Sequence, residues 1–543
     1  MRVLLYALSA VVIAGACLWF GARHHATSLA MPELQPDAPP AARGAAAFVG
    51  ADFGGLSMQA LESHALPWKL VTSALVLEAV TADPNLPRNN VTLDSVLASF
   101  GFLTDAQVGN LPGGVALNAT DMPLGVTHGV LAPVAGAPVQ VANLGCAACH
   151  SGVTYGPTGA PNPNIAWIGM PNSSLNLEAY TLAIFDALNA HRTQPRALMD
   201  MVQDLYPETP WRERLALRWL VVPLVQARLE QTSGDRPLPF PNGVPGSTNG
   251  VAALKHVFEV PLIGGGPGDA GIVSIPDLGH RHWRSSLLAD GAYAVPGAQR
   301  QIETTAADDT AQKRAALAAM TTFFTVPSMG VHPDTALASI PAAQDIYEFL
   351  STDYAPQPFP GEIDPVQARL GSAIYAAECS ACHGTYTLAG EQPALRSFPN
   401  WLGDTGTDPL RAQAFSPDLI AAFGDTPYAE RIAVAATGAY VAPPLDGIWA
   451  SAPYLHNGSV PTIWALLSPA ERPTQFELGG HALDFDRLGL RLVDGSYPEG
   501  YQPFSDPVLF DTTQAGQSNT GHTYGALLSI ADKRALITFL KQL

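Results

Sequence analysis

Apolar residues recur at helical spacing in several stretches of this chain, and the spacing marks where helices are expected. Val366, Leu370 and Ile374 stand at i, i+4 and i+8 behind Asp364 as a cap and Pro365 in the first turn, which predicts a helix running straight into Cys379. Ser529-Ile-Ala-Asp532 reads as a capping box for a terminal helix with Leu536, Phe539, Leu540 and Leu543 on one face. The stretch Asp345-Ile-Tyr-Glu-Phe-Leu350 is amphipathic as well. Further helical patterns cover about 92–104, 176–191 and 211–230, with Pro223 expected to kink the last. Ala137 to Leu144 is not helical in pattern, so Cys146 is entered from extended or loop structure. Tyr354-Ala-Pro-Gln-Pro-Phe-Pro-Gly361 is a stiff Pro-rich linker.

Near the start, Val3 to Phe20 form an almost unbroken apolar run with Arg2 ahead of it. Residues 1–30 are therefore an export signal or an N-terminal membrane anchor, a choice that a run of about 18 residues does not make. Either way the remainder is expected outside the cytoplasmic membrane, periplasmic or secreted. Cys17 inside the run is expected to be an inert thiol, with lipid attachment as the minor alternative. No other stretch approaches the length of a membrane span.

Composition sharpens this outline. Of 543 residues, 47% are hydrophobic and only 14% charged, which excludes intrinsic disorder. The net charge of −19 repels phosphate backbones, so nucleic acid is not an expected partner. With 49 Gly and 48 Pro, long loops are expected.

Chemistry enters with the cysteines. Outside the leader they fall as Cys146-Ala-Ala-Cys149-His150 and Cys379-Ser-Ala-Cys382-His383, two complete C-x-x-C-H motifs. Two thiols three positions apart on one turn reach the two vinyl groups of a haem, and the next histidine lies beneath the iron as proximal ligand. A thioredoxin-type pair needs a βαβ context, and zinc half-sites would have to combine across more than 200 residues; neither explains the repeated histidine. Two covalently bound c-type haems follow, with no cysteine left for a disulfide. The expected fold is mainly α with extensive loops, in two cytochrome c-like haem domains. Residues 31–353 form the enlarged N-terminal one, 354–361 the linker, and 362–543 the C-terminal one with a large loop insertion.

Whether each iron has a second protein ligand decides between passing electrons and binding a small oxidant. The loop before the terminal helix, Asn519-Thr-Gly-His522-Thr-Tyr-Gly525, makes His522 the distal candidate opposite His383. His456 is the rival, with a structural role at the haem edge favoured for it. In the first domain, Met329 and His332 follow Phe323 and Phe324; either could ligate the first iron, or the two phenylalanines could line an apolar distal pocket. His280 and His282 are further candidates, against the plainer reading of solvated loop residues. Trp283, Trp401 and Trp449 are stepping-stone candidates whose default role is packing. Gly266-Pro-Gly-Asp-Ala-Gly271 is followed by Ile-Val-Ser-Ile-Pro276 rather than a helix, so it is a glycine-rich loop and not a dinucleotide site. The Asn/Asp-rich loops lack ordered ligand spacing, which leaves calcium unsupported.

The block Tyr440-Val-Ala-Pro-Pro-Leu-Asp-Gly-Ile-Trp449-Ala-Ser-Ala-Pro-Tyr-Leu-His456-Asn-Gly-Ser-Val-Pro461, with Gly406-Thr-Asp-Pro409 before it and Asn519–Gly525 after it, resembles the di-haem cytochrome c peroxidase superfamily. The branch it is most similar to holds the rubber oxygenases and the di-haem fatty-acid dioxygenases. The likeness is dense over 362–543 and thinner over about 120–290, where Leu124-Gly-Val-Thr127 and Pro276-Asp-Leu278 carry it. It implies a division of labour: an active haem on His150 with an open distal side, and a bis-histidine haem on His383 and His522 as electron store. The implied partners are dioxygen or peroxide, an apolar substrate and a redox-protein donor. The competing class is an electron-transfer cytochrome without catalysis.

Overall fold

Helix Pro365–Glu378 forms as expected, with the Asp364 carboxylate accepting from Val366 N and Gln367 N. It crosses the terminal helix Ile530–Leu540, whose cap Ser529 accepts from Asp532 N. This computed structural model describes residues 33–34, 37–50, 66–113, 115–116, 122–134, 137–232, 236–262, 271–389 and 392–543. The leader with Cys17, and all of the glycine-rich loop but Gly271, lie outside the described residues.

The crossing is closer than apolar periodicity suggested. A Cβ on Gly371 would sit 2.0 Å from Ala535 O, so the two backbones touch there. The buried face of the first helix is Ala368, Gly371 and Tyr375, whereas Val366 and Leu370 are exposed. Small residues won the interface because they let the helices approach. Leu536, Phe539, Leu540 and Leu543 are buried as expected, each apolar side chain contributing about 1.5–3 kcal/mol.

In the N-terminal half, the antiparallel hairpin Val126–Val134 with Ala137–Leu144 delivers the chain to a one-turn helix, Cys146–Cys149. Helices Trp68–Ala82, Leu177–His191 and Pro195–Leu205 pack beside it around one apolar core. A second core gathers helices Pro40–Gly50, Ala311–Ser328 and Ile340–Thr352. Phe323 and Phe324 lie on an 18-residue helix. Two expectations change here. The helix expected over 92–104 is Asn90–Ala98, stopping before Gly101 at φ +84°. At 211–231 the break falls just ahead of Pro223, as a π-turn over Leu217–Val221 between Trp211–Ala216 and Val222–Gln231.

The fold is mixed rather than mainly α: about 40% is helical, and short ladders tie the long loops together. The Pro- and Gly-rich excursions cannot extend helices, so they satisfy their backbone groups in two- and three-stranded pairs instead. One such sheet joins Ser286–Leu287 and Tyr293–Ala294 to Ala433–Val434 across the two halves. The linker is a strap held at both edges, since Trp167 Nε1 donates to Ala355 O and Trp449 Nε1 to Gln357 O. Among the described residues, no helix is long and apolar enough to cross a membrane.

Candidate functional site

Each C-x-x-C turn is fastened by its own local device. For the first, Gly125 at φ +81° lets the hairpin press against it; a Cβ there would lie 1.9 Å from Ala148 N. Buried Asn172 completes the clamp, donating through Nδ2 to Ala148 O and through its backbone N to Cys149 O. The second turn is the continuation of helix Pro365–Glu378, braced by Tyr375 donating to Gly384 O at 2.9 Å. None of Cys146, Cys149, Cys379 and Cys382 is in a disulfide. Burial pushes Cys149 and Cys379 up to about 12, the reverse of the depressed thiol of a redox pair.

The two following histidines share one arrangement. His150 Nδ1 lies 3.1 Å from Pro276 O, and His383 Nδ1 lies 2.8 Å from Pro443 O. A carbonyl only accepts, so each Nδ1 carries the proton and each Nε2 keeps a lone pair. Burial holds His150 down at about 4 and lowers His383 too, which keeps both imidazoles in the neutral, metal-ligating form.

The surroundings of these acceptors repeat as well. Four residues after Pro276 and after Pro443 the chain turns left-handed, at His280 (φ +48°) and Gly447 (φ +67°), and enters a 3-10 turn carrying a buried tryptophan, Trp283 or Trp449. The two turns face each other. A Cβ on Gly279 would lie 2.4 Å from Asp446 Cβ, and one on Gly447 would lie 2.3 Å from Asp277 Oδ2. Tyr354 donates to Asp277 and Tyr386 to Asp446, at 2.9 and 3.0 Å. Burial raises the Asp277 carboxyl to about 7. His280 Nδ1 is 2.9 Å from Asp446 Oδ1, and His282 Nε2 is 3.6 Å from Asp309 Oδ2. These two histidines are thus packed between the turns, and His282 is buried rather than solvated.

Across from His383 stands His522, ring centroids 6.1 Å apart. A metal bound between two imidazoles at about 2 Å from each nitrogen separates the ring centres by about 6 Å, so the pair has the spacing of two axial ligands. Burial holds His522 down at about 4. Its loop is built for position: Gly521 abuts Gly406, and His522 N donates to Thr405 O. Arg472 donates to the carbonyls of Asn519, Gly521 and His522. Asn457 Nδ2 holds Gly516 O and Ser518 O, and Ser459 Oγ also reaches Ser518 O.

Around His150 the company differs. Among the described residues no aromatic or histidine ring is paired with it as His522 is with His383. Ala147 belongs to the core that contains Tyr293, Phe323, Phe415, Phe423 and Tyr428, and Cys146 packs against that core. His332 is exposed, its Nδ1 accepting from Asp334 N, and Met329 is a half-buried helix cap. His456 stacks on Tyr440 at 4.1 Å and not on His383. Trp401 is half-buried.

A haem fits what is present: two cysteines on each single turn and outside any disulfide, neutral histidines with Nδ1 engaged, and buried guanidinium nitrogens, Arg284 Nε and Arg411 Nε, that have no hydrogen-bond partner in the protein and suit propionate groups. Among the described residues no group of three or more His, Cys, Asp or Glu is placed to hold a bare metal ion. Pro276, Pro443, Asn172, Arg472 and the facing aspartates were not singled out as functional from sequence. A histidine-orienting carbonyl, an amide clamp and a facing carboxylate are all set by tertiary contacts and leave no pattern of spacing.

Two cysteines on one turn with a neutral histidine next in the chain are the attachment pattern of a c-type haem. Residues 439–477 match the family profile described as RoxA-like, cytochrome c-like. That segment supplies Pro443, Asn457, Ser459 and Arg472, the groups that orient His383 and hold the His522 loop. The chain is also similar to two proteins of Sinorhizobium fredii (strain NBRC 101917 / NGR234), each named as uncharacterized. It is 32% identical to y4iJ over 266 residues, 37% of this chain and 43% of the relative. It is 30% identical to y4iM over 198 residues, 31% of this chain and 43% of the relative. The match spans less than half the length of either relative.

Proposed function

We propose that this protein is an exported di-haem c-type cytochrome that activates dioxygen or peroxide at the haem on His150 and stores electrons at the haem on His383 and His522. The observation that carries this reading is the asymmetry between two otherwise matched histidines. His383 has a second imidazole facing it, in a loop held by Arg472, whereas among the described residues no second imidazole is paired with His150. Bound at Cys146, Cys149 and His150, the haem would supply an iron able to take a small oxidant and exchange electrons with it. Pro276 O holds the proton on His150 Nδ1, which fixes the ring orientation and strengthens Nε2 as a ligand. Cys379, Cys382, His383 and His522 close the second site, which then exchanges only electrons. The reading follows the resemblance to the rubber oxygenase and di-haem fatty-acid dioxygenase branch, with peroxide reduction as the sister activity.

Low-temperature EPR and optical spectra of the purified holoprotein, before and after dioxygen, peroxide and carbon monoxide, test it. Expected is one low-spin bis-histidine signal that ignores every addition, beside one haem that takes carbon monoxide when reduced. Two low-spin signals unmoved by any addition, in both oxidation states, would overturn it and leave an electron carrier.

A further inference from the structure

The segment 211–231 is buried along one side and exposes large apolar residues along the other. Ala216, Leu217 and Val222 pack into the core, while Trp211 (67% exposed), Leu215 (49%), Trp219 (65%) and Leu224 (65%) face solvent. Their spacing is a stripe. Trp211, Leu215 and Trp219 follow at i, i+4 and i+8, and the next member is five residues on. A π-turn closes i→i+5 hydrogen bonds, so the turn at Leu217–Val221 inserts the extra residue that returns Leu224 to the face of Trp219. At about 1.5 Å per residue the stripe is roughly 20 Å long. Isolated exposed apolar side chains are ordinary, but four in register on one helical rod are not.

The charge around the stripe runs against the rest of the molecule. The chain as a whole carries −19, yet 211–231 holds Arg212, Arg214, Arg218 and Arg228 against Glu213 and Glu230. Glu213 is buried and taken by Lys69 at 2.6 Å, so it does not offset the exposed cations. Arg212 and Arg218 lie over the rings of Trp211 and Trp219, at 5.4 and 4.7 Å from ring to guanidinium carbon. Each pair thus presents an indole body and a cationic head at one place, the combination that sits at the boundary of acyl chains and anionic headgroups.

We propose that the Trp211–Leu224 stripe docks the protein onto an anionic phospholipid surface, with the indoles and leucines in the acyl boundary and the arginines on the phosphates. A second acidic copy of this chain is disfavoured by its own charge everywhere but at this patch, and a neutral apolar surface leaves the arginines without partners.

Hydrogen exchange of the intact holoprotein, with vesicles of phosphatidylglycerol, with vesicles of phosphatidylcholine and without lipid, tests this segment by segment. The apolar run at Val3 to Phe20 therefore cannot mimic the result. Expected is slower exchange across 208–231 with phosphatidylglycerol, at most weak slowing with phosphatidylcholine, and reversal by high salt. The R212Q/R218Q variant should bind phosphatidylglycerol vesicles roughly 25-fold more weakly, about fivefold per arginine, and W211S/W219S should lose the protection as well, both with unchanged haem spectra. Unchanged exchange across 208–231, equal protection with both lipids, or the same protection produced by raising protein concentration without lipid would each overturn the proposal, the last in favour of self-association.

Discussion

His150 and His383 occupy nearly the same frame, and what surrounds that frame differs. Each hands Nδ1 to a proline carbonyl four residues ahead of a left-handed turn, and the two turns face each other, Gly279 against Asp446 and Gly447 against Asp277. The first motif is reached through a β-hairpin, and among the described residues no second imidazole is paired with its histidine. The second is reached through a helix, and a loop tied down by Arg472, Asn457 and Ser459 places His522 opposite. Proximal geometry repeats because it depends on a few backbone atoms. The distal side is built from segments distant in sequence, so it is free to diverge.

The comparison breaks most sharply at the histidines themselves. His150→Ala is expected to abolish oxidant activation, while His522→Ala turns the second haem from low-spin to a form that binds carbon monoxide and leaves ligand binding at the first unchanged; EPR and optical titration read both. If His522→Ala leaves both haem spectra as they were, the two sites do not differ in the way proposed.

Next come the glycines that bring each motif to its support. Gly371→Val would put its Cβ 2.0 Å from Ala535 O, and Gly125→Ala would put one 1.9 Å from Ala148 N at positive φ. Each should cost about 3 kcal/mol or more, because backbone and not a yielding side chain is in the way. Denaturant unfolding followed at the Soret band should show the loss for either variant.

Smaller effects sharpen the contrast in second contacts. Arg472→Met removes the donor that gathers the carbonyls of the His522 loop, and is expected to weaken His522 ligation about 10–100-fold, seen as a mixed-spin spectrum of the second haem alone. Asn172→Ala frees the first turn, should cost about 1–3 kcal/mol, and should leave the second haem's spectrum unmoved.

The mildest test is pH. His481, buried with Nδ1 3.0 Å from Ser173 Oγ, joins the two halves, and burial holds it down at about 3. The unfolded chain takes up a proton near 6.5 that the folded chain refuses. Stability should therefore be full above about 6.5 and fall as pH drops toward 3, by at most about 1.4 kcal/mol per pH unit for this proton. Urea midpoints at pH 7 and pH 5 should differ in that direction, and by less in His481→Gln.

Much of the frame is legible in the sequence. The two C-x-x-C-H motifs, the Asp364-capped helix, the terminal helix and the non-helical approach to Cys146 all follow from spacing and caps, which are local properties. His522 was chosen as a candidate by its position before the terminal helix, and its ring lies 6.1 Å from that of His383. The buried face of helix Pro365–Glu378 was misjudged because a close crossing selects Gly371 over the larger apolar residues beside it. Phe323 and Phe324 were weighed as the lining of a distal pocket; they lie on a helix that runs through Ser328 with Pro327 inside it.

Residue type and short spacing by themselves determined the haem-attachment motifs, the helices that frame the second of them, and the acidic, loop-rich character of the chain. Tertiary structure alone decided which carbonyl orients each histidine, which side chains hold the His522 loop, and that His332 stands in solvent. Those outcomes depend on side chains meeting backbone carbonyls from 49 to 126 residues away, and a carbonyl has the same identity at every position in a sequence.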